Sequence, residues 1–74
     1  MIDNEKIYRL FIYHKGHYIG AVYQDGYYVT QYGPYTLGEA LRSAHIYDGL
    51  KRERAIVRNG ITGEDVYKSI LADI

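Results

Sequence analysis

The chain has 74 residues, nine basic and nine acidic side chains, no cysteine, one proline and ten tyrosines. That length leaves room for one small domain, and the lack of cysteine excludes a disulfide framework or a thiolate zinc site and makes a reducing, cytoplasmic setting the default expectation. Zero formal charge removes the global attraction behind most binding to nucleic acids and anionic membranes, and the hydropathy pattern predicts neither a membrane span nor a signal peptide.

From Ile7 to Tyr32 the residues are mostly β-branched or aromatic, broken at Lys15-Gly16 and Asp25-Gly26. This is the pattern of a three-stranded meander with strands Ile7 to His14, His17 to Gln24 and Tyr27 to Tyr32. Asp25-Gly26 suits a type I′ turn, because both residues tolerate positive φ. Two-residue loops at both turns would set His14 opposite His17, Tyr13 opposite Tyr18, Phe11 opposite Gly20, Tyr23 opposite Tyr28 and Val22 opposite Val29. One face would then carry Tyr8, Leu10, Ile12, Ile19, Ala21, Tyr23, Tyr28, Thr30 and Tyr32. Being the more aliphatic at its centre, it is the expected core. The other would carry Ile7, Arg9, Phe11, Tyr13, Tyr18, Gly20, Val22, Gln24, Tyr27, Val29 and Gln31.

After Gly33-Pro34 the period changes to about 3.6 residues, and Thr36 with Glu39 forms a capping box. A helix is expected from Leu37 to Asp48, with Gly49 in the left-handed position that follows a helix. Ala55 to Val57 reads as a short fourth strand ahead of Asn59-Gly60. Thr62 and Asp65 repeat the capping spacing, and Val66, Tyr67, Ile70, Leu71 and Ile74 predict a second, C-terminal helix. The expected architecture is therefore α+β, with both helices on one face of an antiparallel sheet and the other face uncovered.

Eight of the tyrosines fall between Tyr8 and Tyr35. Tyrosine forms strands well and fills small cores, yet it also gives rigid contact area with a hydroxyl satisfied in water, which enriches it at interfaces. One sheet face cannot bury eight rings. The open face is thus the expected recognition surface, with Phe11, Tyr13, Tyr18 and Tyr27 as anchors and Arg9 and Gln24 orienting the partner.

Basic charge gathers instead at Lys51, Arg52, Arg54 and Arg58, which with Glu53 carry a local net of +3. Such a run usually keeps a surface solvated. It is also the segment to which phosphate or an acidic partner would be drawn. Stacking of bases on the tyrosines would need cations beside them, and within the meander the sequence offers only Arg9 and Lys15. His14 and His17 are too few for a metal centre. Ser43 and Ser69 lack a nucleophile elbow and a neighbouring base. No cofactor, metal or catalytic residue is expected.

Three strands followed by a helix resemble the DNA-reading modules of some integrases, whose sheet enters the major groove. Those modules are strongly basic, whereas Tyr, Gln and Val occupy the corresponding strands here. The expectation is a non-catalytic protein-binding module, a small regulator or inhibitor such as a phage-encoded inhibitor of a host enzyme or defence complex, acting on a protein partner or a second copy of itself. The alternative is a small nucleic-acid-binding module using the segment from Lys51 to Arg58. No membrane role is expected.

Overall fold

The computed structural model describes residues 5–14, 16–24, 26–50 and 53–69. The elements follow the order β1 (Tyr8–His14), β2 (Val22–Gln24), β3 (Tyr27–Tyr35), α1 (Leu37–Leu50), β4 (Arg54–Asn59) and β5 (Asp65–Lys68). The five strands form one antiparallel sheet in the order β2-β3-β1-β4-β5, so the α+β class holds. No helix among the described residues is long and apolar enough to cross a membrane.

Strand β1 is central, and its composition explains why. Burial alternates along it, with Tyr8, Leu10, Ile12 and His14 inside. Val57 lies opposite Leu10 and Ala55 opposite Ile12, and all four side chains are almost fully buried. Helix α1 closes this face with Ala40 and Ala44, both fully buried, whose small side chains let the helix lie close across β1 and β4. The helix starts as its sequence predicts. Thr36 N–H donates to Glu39 Oε1 at 3.1 Å, and Glu39 N–H donates to Thr36 Oγ1 at 3.2 Å, which satisfies two backbone donors that the first turn leaves over.

Several expectations are corrected. The three strands are not a meander, because β1 pairs with β3 and β4 rather than with β2. His14 therefore lies opposite Tyr28, Tyr13 opposite Val29 and Phe11 opposite Gln31, and the topology behind the likeness to integrase modules is not retained. The hairpin of β2 and β3 does keep its expected register, with Val22 opposite Val29 and Tyr23 opposite Tyr28. β2 is only three residues long at the edge of the sheet. Ile19 and Tyr23, expected in the core, are accordingly 87% and 62% exposed.

β3 runs through Gly33 and Pro34 to Tyr35, three residues beyond the expected end. A bulge and a cis Gly33-Pro34 peptide accommodate them. A Cβ on Gly33 would lie 2.8 Å from the Tyr8 carbonyl oxygen, at a φ of 119°, so both close approach and backbone geometry require glycine. Gly49 does not end α1 but lies within its last turn.

The second capping signal starts no helix. Asn59 Oδ1 accepts the N–H groups of Ile61 and Thr62 at 2.8 and 3.0 Å, and Gly63 N–H donates to the Asn59 carbonyl at 2.8 Å. This closes a loop that returns the chain as β5. The Asp65 carboxylate, expected to cap, instead holds Arg58 across the hairpin at 2.6 Å. Val66 and Tyr67 are β-branched and aromatic, and pairing with β4 satisfies their propensity better than a short helix would. Residues 70–74 of the expected helix, like Lys51 and Arg52, lie outside the described residues.

Candidate binding face

Among the described residues one helix lies on one side of the sheet and no element covers the other. Side chains directly opposite one another share a face, which places Arg9, Phe11 and Tyr13 of β1 with Tyr27, Val29 and Gln31 of β3 and with Arg54, Ile56 and Arg58 of β4. Val22 and Gln24 extend this face at one edge, Asp65 and Lys68 at the other. The structure thus joins what the sequence showed as two separate features. Because β4 lies beside β1, Arg54 and Arg58 of the basic segment stand next to the aromatic residues of the first strands.

The side chains form an interlocked layer. Tyr13 and Tyr27 meet edge to face with ring centroids 6.0 Å apart. The Arg54 guanidinium lies 5.6 Å from the Tyr13 centroid and 6.0 Å from that of Tyr27, and Arg58 lies 4.7 Å above the Phe11 ring. These are distances at which cations are attracted to aromatic faces. The layer shields Val29 and Ile56, both 8% exposed, while Phe11, Tyr13 and Tyr27 remain half-buried. Arg9 and Arg58 are like charges directly opposite. The Asp65 carboxylate offsets this repulsion and holds the Arg58 guanidinium more firmly protonated. Among the described residues Arg9, Arg54 and Lys68 have no carboxylate within ion-pair distance.

Charge is segregated across the molecule. Of six lysines and arginines among the described residues, four lie on this face, namely Arg9, Arg54, Arg58 and Lys68, while of six acids only Asp65 does. The local net is therefore +3 on a chain whose total is zero. Near the β2 edge the face is hollowed into a groove of about 330 Å³ between Phe11, Gly20, Val22, Gln24, Val29 and Gln31.

Five of the six expected protein-binding residues share the open face: Arg9, Phe11, Tyr13, Gln24 and Tyr27. Tyr18 does not, and its assignment is corrected. Its ring stacks on His14 on the helix side, with centroids 4.0 Å apart and planes within 3°. Of the strand expected from His17 to Gln24 only Val22–Gln24 forms, and residues 16–21 are a connection that brings the chain to the sheet edge. Gln31 lies on this face as expected, whereas Ile56 and Lys68 were missed. Alternation within Arg54-Ala55-Ile56-Val57-Arg58 signals that Arg54, Ile56 and Arg58 share a face, but no local pattern reveals which strand β4 joins.

The helix side holds the buried polar groups. His14 is 3% exposed; its Nδ1 lies 2.8 Å from Glu53 Oε2 and its Nε2 3.0 Å from Thr30 Oγ1. Tyr28, not His17, lies opposite His14, and the His17 ring meets that of Tyr28 edge-on with centroids 4.9 Å apart. Asp48, near the end of α1, accepts hydroxyl bonds from Ser69 at 2.5 Å and Tyr67 at 2.7 Å. These bonds hold its carboxyl below the usual range, and burial, reinforced by Asp48, pushes the Tyr67 phenol up to about 12. Ser69, one of the two serines in the chain, is thus tied to a structural carboxylate. Comparison with protein-family models, curated proteins and solved structures gives no match.

Proposed function

We propose that the protein is a non-catalytic binding module that engages an acidic surface of another protein through its open sheet face. The observation carrying this reading is the juxtaposition of Arg54 and Arg58 with Tyr13, Tyr27 and Phe11 on a face the helix does not cover. Arginine and tyrosine are the residues that most often dominate binding energy at protein interfaces. Rings packed edge to face and guanidiniums laid over them lose little conformational freedom on binding. A regulator or inhibitor would act by covering its partner's surface in this way.

A second copy is a poor occupant of the same face. Symmetric pairing of two identical patches sets each against itself, bringing two cationic surfaces together with only Asp65 in each to compensate. A foreign, acidic partner removes that conflict.

Nucleic acid is the second reading, favoured by the cations that β4 places beside the rings, since a stacking surface needs both. Few cations are available for phosphate contacts, and the groove beside Phe11 fits a side-chain anchor at least as well as a base.

The test is photo-crosslinking in cells that express the protein, with a benzophenone side chain replacing Tyr13 on the open face or Ile46 on the exposed side of α1. Adducts that form from position 13 only, are destroyed by protease and disappear in Arg54→Glu support the reading. Adducts destroyed by nuclease support the second reading, and equal adducts from both positions reject both.

A further inference from the structure

We infer that the groove beside Phe11 is an anchor pocket for one aromatic side chain of an acidic peptide segment, whose neighbouring carboxylates are taken by Arg54 and Arg9. The inference rests on the reading of the open face as protein-binding, and adds the chemistry of the segment recognised. Three observations carry it. The groove has a volume of about 330 Å³, at the small end for an organic ligand. Its walls are apolar at Phe11, Val22 and Val29 and carry carboxamides at Gln24 and Gln31, an apolar interior with a polar rim of the kind that surrounds interface anchors. Its open apolar wall, Val22, is 67% exposed, so an incoming ring would remove apolar surface from water.

Charge decides the rest of the segment. The same face carries a net +3 among the described residues, and Arg58 is already held by Asp65 in the sheet. Arg54, half-buried against Tyr13 and Tyr27, and Arg9 remain to accept carboxylates, and arginine does so in a two-pronged geometry that lysine cannot reproduce. An apolar anchor flanked by acids satisfies both features; a basic or purely aliphatic segment satisfies only one.

The chain contains no tryptophan, so the fluorescence of a tryptophan in a probe peptide reports binding directly. Three short peptides serve: glutamates around one tryptophan, the same with glycine in place of tryptophan, and the same with glutamines in place of glutamates. An eight-nucleotide oligothymidylate is the fourth probe, and the binding of the two probes without tryptophan is read from protein amide shifts. The acidic tryptophan peptide should bind at least tenfold more tightly than either other peptide. Val22→Tyr, which fills the groove without changing charge, should remove that advantage and leave the glycine peptide unaffected, while Arg54→Gln should weaken both acidic peptides.

Equal binding of the tryptophan and glycine peptides, still lost in Arg54→Gln, overturns the anchor pocket and leaves the face reading intact. Binding of oligothymidylate with none of the acidic peptides overturns both in favour of nucleic acid. No binding of any probe rejects the inference and the reading together.

Discussion

Gly33 shows how much of the fold can hang on a missing side chain. β1 and β3 approach so closely at the bulge that a Cβ there would meet the Tyr8 carbonyl at 2.8 Å, in a backbone conformation that other residues rarely adopt. Gly33→Ala should therefore cost on the order of 2–3 kcal/mol, read as a lower urea midpoint. The same change at Gly38, whose Cβ would meet nothing within 4 Å, should be neutral or slightly stabilising, because alanine favours the helix. In the core, Leu10 is 1% exposed among Ile12, Val57, Ala40 and Ala44. Small helix side chains leave little that can collapse into a void, so Leu10→Ala should cost about 3–4 kcal/mol. On the open face, Tyr13→Ala removes a half-buried ring that neither lies in this cluster nor packs against it, and should reduce binding far more than stability.

At the scale of elements, α1 is secured at both ends. Thr36→Ala removes one half of the capping box and should destabilise by about 1 kcal/mol in chemical denaturation. At the other end, a carboxylate near a helix C-terminus opposes the helix dipole, yet Asp48 is retained there by the hydroxyls of Ser69 and Tyr67, which tie the helix to β5. Its folded pKa is lowered, so the stabilisation is present above the ordinary carboxylate range and is lost as pH falls through the folded value. Tyr67 has the opposite sign. With its folded pKa near 12, its contribution is complete below the ordinary tyrosine pKa of about 10 and disappears as pH rises through the folded value. Denaturation midpoints from pH 7 to pH 3 should fall less steeply in Asp48→Asn than in the native chain.

Elements defined by their own neighbours in sequence were legible: α1 from its period and capping box, the β2–β3 hairpin from Asp25-Gly26, and the inward side of β1 from its alternation. What the sequence did not reveal was non-local. The position of β4 beside β1 depends on Val57 and Ala55 completing the core against Leu10 and Ile12, and no turn signal encodes that pairing. Thr62 and Asp65 misled because a cap signals only what a helix would need, while the Asn59 side chain and Arg58 used the same residues to close a hairpin.

For the whole molecule, zero net charge conceals a division in which the open face is cationic and most acids of the described residues lie elsewhere. This predicts a chain that stays monomeric as its concentration rises, measured as a constant mass in light scattering; a dimer that persists in high salt would contradict the charge argument. It also predicts that Arg54→Glu impairs recognition of an acidic partner by more than one lost contact would, since it replaces attraction with repulsion. All of this depends on β4 lying beside β1, so that the arginines and the aromatic residues share one uncovered face. Proton NMR of the native chain tests that arrangement most directly through cross-strand Overhauser contacts of the Phe11 ring. Contacts from Phe11 to Ile56 and Gln31, with Tyr13 seen from Arg54, are predicted; a β1–β2 ladder pairing Phe11 with Gly20 and Tyr13 with Tyr18 would contradict it.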